Sequence, residues 1–348
     1  MFFASDNAGP VHPAVIEALA AANRGYASAY GTDALMDGVR ARIREIFEAP
    51  EAAVYLVATG TAANSLLLAT LSKPWETIFC TPMAHIHEDE CNAPEFYSGA
   101  KLTLVPATDA KLTPTALHAA IAAEQSRGVH GPQRGPVSLT QATEKGTLYT
   151  LDEIAALTAT ARDFGIRTHM DGARFANALV SLGCTPAEMT WRAGIDALSF
   201  GGTKNGLMGV EAAVIFDPAL AWEFELRRKR GAHLFSKHRY LSAQMQAYLA
   251  DDLWLDLAAR ANANLAHLVA GLRALPDCTL AWEPAANLVF ARLPRRLHQR
   301  VRAAGASYYV WDGDPDHGDP DELLLARFVC DWSLPRAEID RFLSLLAD

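Results

Sequence analysis

Short apolar runs rich in β-branched residues alternate with longer stretches of helical period, and this alternation constrains the fold more than any other feature of the chain. A strand that is apolar along its whole length must be covered on both faces, and a helix between two such strands brings them parallel. The runs at 54–58, 77–80, 101–106, 137–141, 166–170, 197–200 and 211–216 are expected as buried strands. Helices are expected at 34–48, where Leu35, Val39, Ile43 and Phe47 recur at about one turn, and at 62–71. Another starts at Thr150, which has the capping-box spacing with Glu153, and continues through Ile154, Leu157, Ala161 and Phe164 until Gly165 stops it. From about residue 237 the pattern changes to a long Ala/Leu helix through 270, then strand-like runs at 287–293, 307–311 and 323–330. The expected organisation is a large α/β domain over 1–236, built on a mostly parallel sheet, and a smaller C-terminal α/β domain over 237–348.

Composition removes several classes of function. A formal net charge of −9 disfavours a nucleic-acid partner, because the phosphate backbone is repelled. No uncharged apolar run reaches membrane-spanning length, and the N-terminus lacks the basic and apolar regions of a leader, so a cytoplasmic protein is expected. The five cysteines are scattered with no CxxC pair, which fits a reducing compartment and gives no zinc or redox site. The acidic stretch 312–322 has aspartates at calcium-loop spacing, but His317 stands where the sharp turn needs Gly and Leu323 where a Glu is needed.

Three segments carry chemistry in combination. Lys204 lies in Gly201-Gly202-Thr203-Lys204-Asn205-Gly206, just after an apolar run, at the strand end where α/β sheets place ligands. A lysine in a turn is ordinarily a solvated charge, so this segment alone decides little. Asp171, in His169-Met170-Asp171-Gly172-Ala173-Arg174, closes another apolar run and can keep a pyridine nitrogen protonated, turning the ring into an electron sink. An ordinary buried salt bridge with Arg174 is the plain alternative. Thr59-Gly60-Thr61 runs from a strand into a helix, whose first amides and dipole make an anion site. No GxxxxGK[ST] or useful GxGxxG accompanies it, so nucleotide readings lose support.

In this order the segments resemble those of the low-specificity L-threonine aldolases, pyridoxal 5′-phosphate enzymes of the aspartate-aminotransferase-like fold type I. The likeness extends over Ser5-Asp6-Asn7, Tyr30-Gly31-Thr32-Asp33, Gly60-Thr61-Ala62-Ala63-Asn64, Ala84-His85-Ile86-His87 with Asp89-Glu90-Cys91, Asp171-Gly172-Ala173-Arg174 and Gly202-Thr203-Lys204-Asn205-Gly206. The resemblance implies that Lys204 holds the cofactor as a Schiff base, with Thr203 beside it, that His85 stacks on the ring, and that Gly60 and Thr61 hold the phosphate. It implies Asp171 at the ring nitrogen, Arg174 near the ring oxygen and the substrate, and Ser5, Tyr30 and Arg327 on the substrate, Arg327 through its planar guanidinium. The basic run around Lys229 and Lys237 reads by itself as a solvated helix face, but the resemblance implies that these lysines are candidate phosphate partners across a subunit boundary, and with them a homodimer or homotetramer. Some relatives carry a second histidine where this chain reads Leu139-Thr140-Gln141-Ala142-Thr143-Glu144, which leaves His85, His87 or a bound water as the candidates for the base that handles the β-hydroxyl.

The implied reaction is retro-aldol cleavage of a β-hydroxy-α-amino acid to glycine and an aldehyde, with a β-eliminating lyase as runner-up. The rival from another class is a metal hydrolase built on His85 and His87, to which His169 and Asp171 would add ligands. It leaves Lys204 and the helix-start anion site unexplained, so no metal is expected.

Overall fold

The computed structural model describes residues 1–347 and contains two sheets. The larger has seven strands: β1 (Ala53–Val57), β2 (Glu76–Cys80), β3 (Lys101–Leu104), β4 (Gln133–Thr140), β5 (Thr168–Gly172), β6 (Ala197–Gly201) and β7 (Glu211–Ile215). Their order is β1-β7-β6-β5-β4-β2-β3. The five strands from β3 to β6 run parallel, β7 runs antiparallel beside β6, and the edge strand β1, antiparallel to β7, shares the direction of the five. Strands β1, β5, β6 and β7 are buried at every position, as continuous apolar runs require when helices cover both faces. Thr140 of β4 pairs in register with Asp171 of β5, and Asp171 with Ser199 of β6, so their polar ends meet at one edge of the sheet.

The smaller sheet is antiparallel, in the order β10-β11-β9-β8, from β8 (Thr279–Leu280), β9 (Leu288–Pro294), β10 (Tyr309–Val310) and β11 (Leu323–Val329). The first residues of the chain join it. Phe3 donates its amide to the Ser307 carbonyl at 2.7 Å and accepts from Val329 at 2.8 Å, while its ring packs among Phe328 and Phe342. The core beneath this sheet therefore contains Phe3, while the core of the large sheet takes in Leu241, Met245 and Tyr248 from the helix Arg239–Leu249.

The expected continuous helix over 237–270 is instead two helices, Arg239–Leu249 and Leu253–Arg273. Between them Asp251 and Asp252 take left-handed φ of 48° and 54°, a conformation that Asp tolerates better than most side chains. A helix at Pro13–Ala22, capped by the His12 ring on the Ala14 amide, was not expected from periodicity. Strand β4 starts four residues earlier than the apolar pattern, at Gln133. The acidic 312–322 stretch finds arginines: Asp312 pairs with Arg292, Asp316 with Arg302 and Glu322 with Arg295. Among the described residues no helix is long and apolar enough to cross a membrane.

The capping box is present as read: Thr150 Oγ1 accepts from the Glu153 amide at 3.2 Å and the Glu153 carboxylate accepts from the Thr150 amide at 2.8 Å. Thr150→Ala is expected to cost about 1 kcal/mol of stability, read as a lowered denaturation midpoint with unchanged denaturant dependence. An unaltered midpoint would mean that packing alone sets where this helix begins.

Candidate active site

A cavity of about 250 Å³ opens where the carboxyl ends of β4, β5 and β6 meet the start of the helix Gly60–Leu71. Asp171 ends β5 on its wall and is buried, with both oxygens committed. Oδ1 accepts from the Ala173 amide at 3.0 Å and Oδ2 from Asn64 Nδ2 at 2.9 Å. Behind it runs a buried polar chain: Ser199 Oγ donates to Asn64 Oδ1 at 2.6 Å and accepts from His169 Nε2 at 3.1 Å, while His169 Nδ1 meets Ser138 Oγ at 3.0 Å. Burial pushes His169 down to about 4, so its ring is neutral at neutral pH and suited to donate through one nitrogen and accept through the other. A carboxyl group fixed this way presents a stable acceptor to a ring nitrogen.

Lys204 follows β6 and lines the same cavity. Burial depresses its ammonium pKa and the Arg174 charge adds to this, against the pull of Asp6, Asp171 and Glu211. A lysine in this state loses its proton more readily and becomes the nucleophile a carbonyl requires. Arg174 also lines the cavity, yet it is Asp6 that holds its guanidinium, with Nε and Nη2 donating to the two carboxylate oxygens at 2.7 and 3.0 Å. Burial opposes ionisation of Asp6, but Arg174, then Lys204, hold the carboxyl below its ordinary range. Asn287 Nδ2 adds a third bond to Asp6 at 3.0 Å, so residues 6, 174 and 287 converge on one point.

The helix start behaves as its sequence suggests. Thr59 caps it, its hydroxyl accepting from the Ala62 amide at 3.1 Å, and the Ala63 amide donates to the Thr59 carbonyl. This leaves Gly60 and Thr61 as the first-turn amides without an acceptor in the chain, on the cavity wall. A Cβ built on Gly60 would meet no atom within 4 Å, so the space above the helix start is open to an anion. The Thr203 hydroxyl is buried nearby on the wall without a partner of its own.

His85 is held at the cavity by Glu90, whose Oε1 lies 2.9 Å from Nδ1 and also accepts from Asn64 Nδ2 at 2.9 Å. That hydrogen bond raises the pKa of His85 against the effect of burial. Asn64 thus donates one hydrogen of its amide to Asp171 and the other to Glu90, tying the strand-end acid to the support of the histidine. Glu144, after β4, accepts from the His85 backbone amide at 3.0 Å and from Thr140 Oγ1 at 2.8 Å.

The structure brings Lys204, Thr203, Asp171, Arg174, Gly60, Thr61 and His85 together on one cavity. Arg327 lies just outside it, donating to the Ala4 carbonyl at 3.3 Å next to Ser5, its guanidinium 5.3 Å from the rings of both Tyr309 and Trp311. Its Nε is buried with no partner. Ser5 itself accepts from the Asn7 amide at 3.1 Å. His87 is not on the cavity wall and sits 3.5 Å from Glu88, while His169 is engaged by two serines. Among the described residues no three His, Cys, Asp or Glu side chains gather as a metal site, so the hydrolase rival has no ligand set to build on. Tyr30, Lys229 and Lys237 are exposed and away from the cavity of their own chain, with the Lys229 ammonium 5.2 Å above the Tyr30 ring. Asp6, Asn64, Glu90, Glu144 and Glu211 had no assigned role. The signals available for them were adjacency to Ser5, the helical step from Gly60 to Asn64 and the acidic run after His85.

An amine of depressed basicity, a fixed carboxylate, a pair of open helix-start amides and an imidazole around one cavity fit pyridoxal 5′-phosphate, and together with the sheet they define a pyridoxal-phosphate enzyme of fold type I. The sequence pattern of the β-eliminating lyase family matches residues 3–294. A Pseudomonas aeruginosa protein named low specificity L-threonine aldolase is 41% identical over 348 residues, 99% of this chain and 96% of its own length. One of the same name from Pseudomonas sp. is 40% identical, with 97% and 94% covered. The solved structure of Leishmania major threonine aldolase superposes with a TM-score of 0.92 at 28% identity, covering 99% of this chain and 98% of that one. The chain belongs to the β-eliminating lyase family, among its low-specificity L-threonine aldolases.

Proposed function

We propose that this chain cleaves β-hydroxy-α-amino acids of the threonine, allo-threonine and phenylserine type between Cα and Cβ, giving glycine and an aldehyde. The observation that carries this reading is the shared cavity of Lys204 and Asp171 at adjoining strand ends. Bound there, pyridoxal 5′-phosphate supplies the electron sink for the pair left on Cα. Lys204 offers the amine that the substrate amino group replaces, and its depressed pKa favours the neutral form this exchange needs. Asp171 would offer the bound group a fixed acceptor, the open Gly60 and Thr61 amides would hold its phosphate, and His85, braced by Glu90, would lie beside it. Ser5 and Arg327 hold the substrate carboxylate, which orients the Cα–Cβ bond for scission in preference to Cα–H.

The finer reading is of a cytoplasmic homodimer or homotetramer whose Tyr30, Lys229 and Lys237 complete the site of a neighbouring copy. In support, these residues are exposed and lie outside the cavity of their own chain, with the Lys229 ammonium over the Tyr30 ring.

The purified protein is expected to be yellow, to bleach on borohydride treatment, and to form glycine with acetaldehyde from threonine or benzaldehyde from phenylserine. Keto-acid and ammonia in place of glycine would replace aldol cleavage with β-elimination. A colourless protein inhibited by chelators would overturn the cofactor assignment altogether.

A further inference from the structure

Resting on the aldolase reading above, we propose that Glu144 is the catalytic base of the C–C cleavage, its unengaged oxygen accepting the proton of the substrate's β-hydroxyl. The four carboxylates on the cavity wall differ in what their oxygens do. Asp171 has both committed. Glu211 accepts from the Gly202 amide at 2.6 Å, within the turn that carries Lys204. Glu90 is also engaged through Oε1 alone and has its Oε2 buried without a partner, but its two bonds go to the His85 imidazole and the Asn64 amide, so a proton taken up there would disturb the support of the histidine itself. Glu144 lines the cavity with only Oε1 engaged, by the backbone amide of His85 and the Thr140 hydroxyl, while Oε2 is buried without a partner. An unpartnered buried carboxylate oxygen is costly, and a substrate hydroxyl is the donor that would relieve it.

The division between the two oxygens suits proton exchange. Because Oε1 accepts both structural bonds, Oε2 can gain or lose a proton without disturbing them, so no reorganisation accompanies the transfer. The substrate O–H bond breaks and its proton passes to Oε2. The O–H electron pair becomes the second C–O bond of the aldehyde, the Cα–Cβ bond breaks, and its pair stays with Cα. One proton is then returned to Cα to complete glycine, so the exchange is balanced and needs no co-reactant. Burial raises the Glu144 carboxyl to about 7, near the value best matched to this task at neutral pH. The titratable groups around it are Asp171, whose charge opposes ionisation, the buried Cys80 and Tyr149, both held neutral by burial, and the His85 imidazole on the same wall.

Glu144→Gln tests the assignment cleanly, since the amide oxygen can still accept from Thr140 and His85 while the acid–base function is removed. Cleavage of threonine by the holoenzyme is expected to fall about 10²- to 10⁴-fold, whereas exchange of the Cα proton of glycine, a substrate without a hydroxyl, persists. The base must be ionised, so the wild-type rate rises with pH through about 7, and this limb disappears in Glu144→Gln. Thr140→Val removes a hydrogen bond that favours the charged form and is expected to move the limb to higher pH. Independently of turnover, infrared difference spectra between acidic and alkaline samples should contain a protonated-carboxyl band in the wild type that Glu144→Gln lacks. Glu211, also pushed to about 7, contributes equally to both proteins and cancels. Wild-type cleavage rates in Glu144→Gln, or an equal loss of glycine exchange, would overturn the proposal. A wild-type chain that exchanges glycine but cleaves no hydroxy amino acid would sink the aldolase reading instead, and the carboxyl band would then decide alone whether Glu144 exchanges a proton.

Discussion

Lys204→Ala is expected to abolish aldol cleavage, with a fall of about 10⁴-fold or more, because no other amine lies on the cavity wall to exchange with the substrate amino group. The same change should leave the fold intact. Lys204 is held at the cavity by charge rather than by any hydrogen bond that the sheet depends on, and its depressed pKa marks a cation that burial disfavours. The check is glycine formation by the variant beside its thermal unfolding. In the wild type, borohydride should fix the cofactor to the peptide that contains Lys204, read by mass spectrometry. A variant that still cleaves threonine at the wild-type rate, or a label on another lysine, would remove the central assignment.

Asp6→Ala is expected to have the largest effect on stability, about 3–5 kcal/mol, since it leaves the Arg174 guanidinium poorly exposed and without its two-pronged partner. Asn287 loses an acceptor at the same time. The sign with pH follows from the depressed carboxyl of Asp6: its contribution is complete above the ordinary aspartate range and is lost as pH falls through the lower folded-state value. Wild type and variant should therefore converge in acid and separate at neutrality. A gap below about 1 kcal/mol at neutral pH would mean that Arg174 finds another partner, because a buried ion broken from one side normally costs several times that.

The large sheet was legible because its strands lie in short, mostly apolar runs that the fold buries, and the site residues Asp171 and Lys204 could be found because each stands near the end of such a run. Local chemistry was readable for the same reason: the Thr59 cap and the Thr150–Glu153 box depend only on neighbours three residues away. What escaped was long-range pairing. Asp6 meets Arg174 across 168 positions and Asn64 meets Asp171 across 107, and nothing in either local segment announces the other. His169 could be weighed as a ligand in the rival metal reading because its two serine partners come from the flanking strands β4 and β6. The break in the long helix was missed because Asp251 and Asp252 are compatible with a helical pattern, and only their left-handed backbone ends it. Glu144 stood in plain sight after β4, but its significance lies in one oxygen being engaged and the other not, which is a property of three-dimensional packing.

The joining of the first residues to the smaller sheet bears on how the protein is made. Asp171 and Lys204 emerge from the ribosome well before Asn287 and Arg327, the side chains that clasp Asp6 and Ala4. During synthesis Asp6 can meet Arg174 early, but the pairing of Phe3 with Ser307 and Val329 forms only when β11 has left the exit tunnel, so the segment that brings Asn7 to the cavity wall is secured last.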